Sequence, residues 1–196
     1  MRDQGPALRG RGWLWVTAAG VLALLLVAAA NGQAQQRAGG AAAPATPADR
    51  GKYLVNITGC HDCHSPKSQG MTPDPARLLS GRPSTTPMPS KADNEVHASL
   101  DLTAWYGPWG QTVASNLTPD TATGMPAKGY TEATFVATMR TGKKPNGQAL
   151  QPPMPSDVYQ NLTDDDLKAI WAYLRTLKPI RNAVLAGLPT PNPAKK

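Results

Sequence analysis

Five consecutive residues, Cys60-His61-Asp62-Cys63-His64, constrain this chain more than any other feature of it. In a helical turn, residues three and four apart share a face. Two thiols at that spacing reach the two vinyl groups along one edge of a porphyrin. An imidazole one position further on then comes beneath the ring plane. The pattern reads as covalent attachment of one haem c through Cys60 and Cys63, with His64 as an axial ligand to the iron. His61 and Asp62 point elsewhere and need no haem role. A zinc centre wants about four Cys or His ligands, but the only other residues of these types are His61 and His97, the latter in a Pro-rich segment. A thioredoxin-like redox pair wants a βαβ setting, and a plain disulfide leaves His64 unexplained.

A second axial ligand is sought among the methionines. Met139 shares a helical face with Phe135 and reads as core packing, and Met71 lies in a loop close behind the haem motif. Met88 sits between Pro87 and Pro89. Met154 sits in Gln151-Pro152-Pro153-Met154-Pro155, shortly before the last helix. Prolines fix the backbone without donating hydrogen bonds, which suits a loop that must hold a weak thioether against iron. Met154 stands first, Met88 next, and His97 or an open position after them.

The N-terminus reads as an export signal. Arg2, Arg9 and Arg11 precede an uncharged run from Gly12 to Gln36, with small residues at Gly32-Gln33-Ala34. The rival is an uncleaved anchor, because Trp13 to Ala30 is long enough to cross a bilayer with the arginines inside. Either way the remainder lies outside the cytoplasmic membrane, in the periplasm. Cleavage after Ala34 would remove three of the 20 basic and one of the 13 acidic residues, lowering the net charge from +7 to +5. That balance suits docking to acidic protein surfaces, and no basic run points to nucleic acid.

The expected organisation is a signal peptide or anchor over 1–34, a low-complexity lead over 35–46, one domain over 47–182 and a Pro-rich tail over 183–196. Thr46 and Pro47 open a helix whose apolar face is Tyr53, Leu54 and Ile57. A second helix runs from Glu132 to Arg140 with Thr131 as cap, and Phe135, Val136 and Met139 as its buried face. Gly142 ends it. Thr163 caps the last helix, with Asp164, Asp165 and Asp166 at its positive end and Leu167, Ile170, Trp171, Leu174 and Leu177 as one stripe. The Pro-, Ser- and Thr-rich stretch from Pro66 to Pro108 is expected to be ordered, since it carries Leu78, Leu79, Leu100, Leu102, Trp105 and Tyr106. No strand pattern stands out, and the chain reads as mostly α. With one Phe and an aromatic fraction of 6%, a large apolar cofactor would make up a thin core.

In this order of features the sequence resembles class I c-type cytochromes. More narrowly, it is similar to the monohaem cytochrome c subunits that serve bacterial periplasmic dehydrogenases. The resemblance is carried by Arg50-Gly51-Lys52-Tyr53-Leu54, Gly59 through Pro66, Gly107-Pro108-Trp109-Gly110, Asn116-Leu117-Thr118-Pro119-Asp120, Arg140-Thr141-Gly142-Lys143, Pro152-Pro153-Met154-Pro155, and Leu162 through Pro179. It implies a fold in which the first and last helices cross around one haem, joined by a long Pro-rich connection, with Gly51 closely approaching the Trp171 region. It places His64 and Met154 at the iron. Tyr130 departs from it, standing where such sequences usually have Trp, and so does the long lead before Arg50.

The expected role is one-electron transfer. Electrons would come from a periplasmic dehydrogenase or a quinol-oxidising complex and pass to a terminal oxidase or another cytochrome, with membrane association through the N-terminus if that segment is retained. The rival is a haem enzyme with an open sixth position, peroxidase-like in character.

Overall fold

The structure is a computed structural model, and it describes residues 46–89 and 95–184. The signal or anchor, the lead and nearly all of the tail lie outside these residues. Five α-helices are described, α1 Pro47–Ile57, α2 Cys60–His64, α3 Glu132–Thr141, α4 Ser156–Tyr159 and α5 Asp164–Thr176, with one 3-10 turn at Pro126–Lys128.

Capping chemistry sets their bounds. The Thr46 hydroxyl accepts from Asp49 N at 3.1 Å with Pro47 in the first turn, and Thr163 accepts from Asp166 N at 3.1 Å. Thr131 and Thr134 cap each other reciprocally at the start of α3, and Gly142 closes it in the left-handed region.

Packing of α1 on α5 makes the heart of the core. Gly51 faces α5 so closely that a Cβ placed there would lie 1.9 Å from Ala169 O and 2.9 Å from Tyr173 Cβ. Only a glycine permits that approach. Arg50 and Asp166 form an ion pair at 2.9 Å between the same two helices. Leu167, Ile170, Trp171 and Leu174 are buried on α5, with Ala169 beside them, and Phe135 from α3 meets Trp171 at 5.6 Å between ring centroids.

The expected face of α1 is corrected. Leu54 is buried, but its companions are Gly51 and Val55, while Tyr53 and Ile57 are exposed. The Gly51 contact fixes which face α1 turns to α5, and the Tyr53 ring lies beneath the Arg50 guanidinium at 5.5 Å. On α3 the buried pair is Phe135 and Thr138, the latter donating to Thr134 O at 2.8 Å.

The expectation of a chain without strands is also corrected. An antiparallel meander runs through β1 His97–Ala98, β2 Ala104–Gly107 and β3 Gly110–Val113. Gly107 pairs with Gly110 across a two-residue turn at Pro108-Trp109, and a Cβ at Gly107 would strike the Trp109 ring at 2.6 Å. Leu79 and Trp105 are buried as expected of this connection, whereas Leu100, at its hairpin tip, is 97% exposed.

Candidate haem site

Gly59, left-handed at φ 73°, turns the chain from α1 into the five residues of α2. Cys60 and Cys63 lie three residues apart on α2 as the motif requires and are not joined in a disulfide. The Thr58 hydroxyl donates to Leu54 O at 2.8 Å and lies 3.4 Å from Cys60 Sγ. A hydroxyl has one proton to give, so in this arrangement the thiol donates to the Thr58 oxygen. Burial pushes the Cys60 thiol up from its ordinary value, with the Thr58 contact pulling the other way; burial and then Asp62 push Cys63 up.

His64 Nδ1 lies 2.8 Å from Ser115 O. A carbonyl only accepts, so Nδ1 carries the proton and Nε2 carries the lone pair. Desolvation lowers its pKa to about 4 against the opposing Ser115 contact, so the imidazole is neutral at physiological pH. An imidazole fixed in this tautomer by an outer hydrogen bond is a ready metal ligand.

The backbone behind His64 is held on several sides. Gly81 N donates to His64 O at 2.8 Å, Leu79 N to the Ser65 hydroxyl at 2.9 Å, and Arg82 N to Ala114 O at 3.0 Å. His61 pairs locally with the same Ser65 hydroxyl at 2.8 Å. Fully buried Asn116 accepts from Thr118 N and donates to Ile180 O at 2.8 Å. Asn182 donates to Ser80 O at 2.7 Å and Arg82 O at 2.9 Å. Residues 180–182 thus strap the two loops that flank His64.

Lys67 closes the other end of α2. Its ammonium donates to His61 O at 3.1 Å, Asp62 O at 2.7 Å and Ser65 O at 2.8 Å.

The methionines separate by environment. Met125 is 3% exposed within the core and Met139 packs against it, while Met71 is 55% exposed in its loop. Met88 and Met154 are both half-buried. Met154 N donates to Gln151 O at 3.2 Å and Ser156 N to Met154 O at 2.9 Å, which fixes the loop into α4. From α4, Tyr159 donates its hydroxyl to Thr58 O at 2.7 Å. That bond joins the segment carrying Met154 to the corner carrying Cys60. His97 lies in β1, paired with Tyr106.

Sequence reasoning missed Ser115, Asn182 and Lys67. Ser115 and Asn182 act on or through main-chain carbonyls far away along the chain, which leave no mark on residue patterns. Lys67 left a faint one: a short helix ends with unpaired carbonyls, and a lysine soon afterwards can satisfy them. Among the described residues no three His, Cys, Asp or Glu side chains gather as a separate metal site, and no helix is long and apolar enough to cross a membrane.

A family model described as cytochrome c matches residues 48–178. Similar proteins include the fructose dehydrogenase cytochrome subunit of Gluconobacter japonicus, 29% identical over 84% of this chain and 29% of its own length. The gluconate 2-dehydrogenase cytochrome c subunit of Pantoea cypripedii is 30% identical over 68% of this chain and 24% of its own. The cytochrome c subunit of the quinone alcohol dehydrogenase of Gluconobacter oxydans is 24% identical over 91% of this chain and 30% of its own. The chain thus spans under a third of the length of each of these relatives.

Proposed function

Because the chain belongs to the cytochrome c family, we propose that it is a monohaem electron carrier of the periplasm, with Cys60 and Cys63 holding the haem c typical of that family and His64 and Met154 as axial ligands. The observation that carries this reading is the His64 tautomer, with Nδ1 bound to Ser115 O and Nε2 left as the lone-pair donor, on the same short helix as Cys60 and Cys63. The sequence holds one pair of cysteines, at the C-x-x-C-H spacing, which supports a single covalent attachment.

Haem c, when bound, supplies a one-electron couple between ferric and ferrous iron. The protein's part is to hold and tune it. Cys60 and Cys63 would carry the two thioether bonds, and the strapped loops behind His64 keep its ring in one orientation. Met154 offers a soft thioether, which favours the reduced ion. Buried Leu79, Met125, Phe135 and Trp171 keep water out of the adjoining core. Were His64 and Met154 both to hold the iron, no place would remain for substrate at the metal, which would separate this role from a peroxidase-like one.

Export is supported by Arg2, Arg9 and Arg11 ahead of the apolar run. The names of the similar proteins support a dehydrogenase as electron donor, with a terminal oxidase or another cytochrome as acceptor. The test is direct. The matured protein should be coloured, its mass should exceed that of the polypeptide by one haem, and the oxidised form should show a weak sulfur-ligation band near the red end of the spectrum. Met154→Ala should abolish that band and Met88→Ala should keep it; the reverse result would move the ligand to Met88. A colourless protein with the mass of the bare chain would sink the proposal.

A further inference from the structure

Lys67 sits three residues beyond the last residue of α2, yet its ammonium reaches back to that helix. The side chain is half-buried, and its three bonds to His61 O, Asp62 O and Ser65 O account for all three N–H donors of an ammonium. Two of these acceptors belong to α2 itself and the third to its C-cap residue. His61 O also accepts from Ser65 N at 3.3 Å, whereas a short helix leaves its remaining end carbonyls without a partner inside it, and the negative end of its dipole faces the same way.

Because every donor goes to a carbonyl, none goes to a carboxylate, and the charge is not cancelled by a contact ion pair. Asp62 and Asp101 are the acids whose fields reach it. The carbonyls it holds belong to the two residues between Cys60 and Cys63 and to the residue after His64, which sets the charge against the attachment motif. A fixed positive charge lowers the energy of whichever state of a nearby centre holds one more electron.

We propose that Lys67 is a positioning and tuning residue of the haem site: it ties down the carbonyl end of the attachment helix, and its fixed charge raises the reduction potential of the iron. The proposal rests on the haem reading above, so the first measurement is the colour and mass of the wild-type protein. Failure there removes the haem reading itself, whereas a coloured wild type leaves the role of Lys67 to be decided on its own.

The deciding experiment compares midpoint potentials of the haem-loaded full chain. Lys67→Gln keeps amide donors but loses the charge, Lys67→Met loses both, and Lys67→Arg keeps the charge. Lys52→Met, at an exposed lysine of α1, calibrates the effect of deleting an ordinary surface cation. Lys67→Gln and Lys67→Met should both lower the potential by more than Lys52→Met does, and Lys67→Arg should restore it towards wild type. A purely structural cap would give the other order, with Lys67→Gln near wild type. That order, or shifts no larger than the Lys52→Met shift, would overturn the proposal. If Lys67→Met fails to mature, the comparison of Lys67→Gln with Lys67→Arg decides alone.

Discussion

Lys128 shows how a single residue can be both useful and costly to the fold. Its ammonium donates to Asn116 O at 3.0 Å, beside the strap formed by residues 180–182. Burial, with a smaller push from Lys144, lowers its pKa from 10.5 to about 8. Between those two values the folded chain has released a proton that the unfolded chain still binds, so stability attributable to this residue rises as pH increases from about 8 to 10.5. Below pH 8 its burial cost is present in full. Denaturation of wild type and Lys128→Met across that range should give a difference with positive slope, and a flat difference would contradict the burial argument. At this scale the sequence is most readable at Cys60, Cys63 and His64, whose spacing marks a candidate attachment motif and which the structure sets together on one short helix. Ser115 was silent, since its contribution is a main-chain oxygen that any residue type could supply.

Among the elements, the contact between α1 and α5 decides the architecture. Gly51→Ala would drive a methyl to within 1.9 Å of Ala169 O, so the helices must separate. Overpacking of this kind typically costs about 1–3 kcal/mol. Chemical denaturation of the haem-loaded protein should show a loss in that range, while Ala48→Gly, nearer the start of α1, lacks the close approach and should show the smaller loss of ordinary helix propensity. Helix ends were legible because Thr46, Thr131 and Thr163 cap through local chemistry written within three residues. The α5 stripe was legible through its period. The face of α1 was not, because the Gly51 contact, rather than the largest apolar side chains, sets its rotation. The meander escaped notice for a related reason: β2 buries Ala104, Trp105 and Gly107 together, so it lacks the alternation that marks a half-exposed strand.

For the whole molecule, the cofactor and the fold depend on each other. The helices meet mainly along one core that Cys60 also touches, and a ligand that binds only the folded chain stabilises it by mass action. Replacing both anchors, Cys60→Ala with Cys63→Ala, should leave a colourless and mostly unfolded chain, read by far-ultraviolet circular dichroism; native-like helicity without haem would contradict this. Asn182 gives the molecule a temporal order as well as a spatial one. A ribosome makes the thiols of residues 60 and 63 long before the amide that clamps Ser80 and Arg82. The wall behind His64 is therefore completed only when residues 180–182 are present to join the loops of Ser80, Arg82 and Asn116.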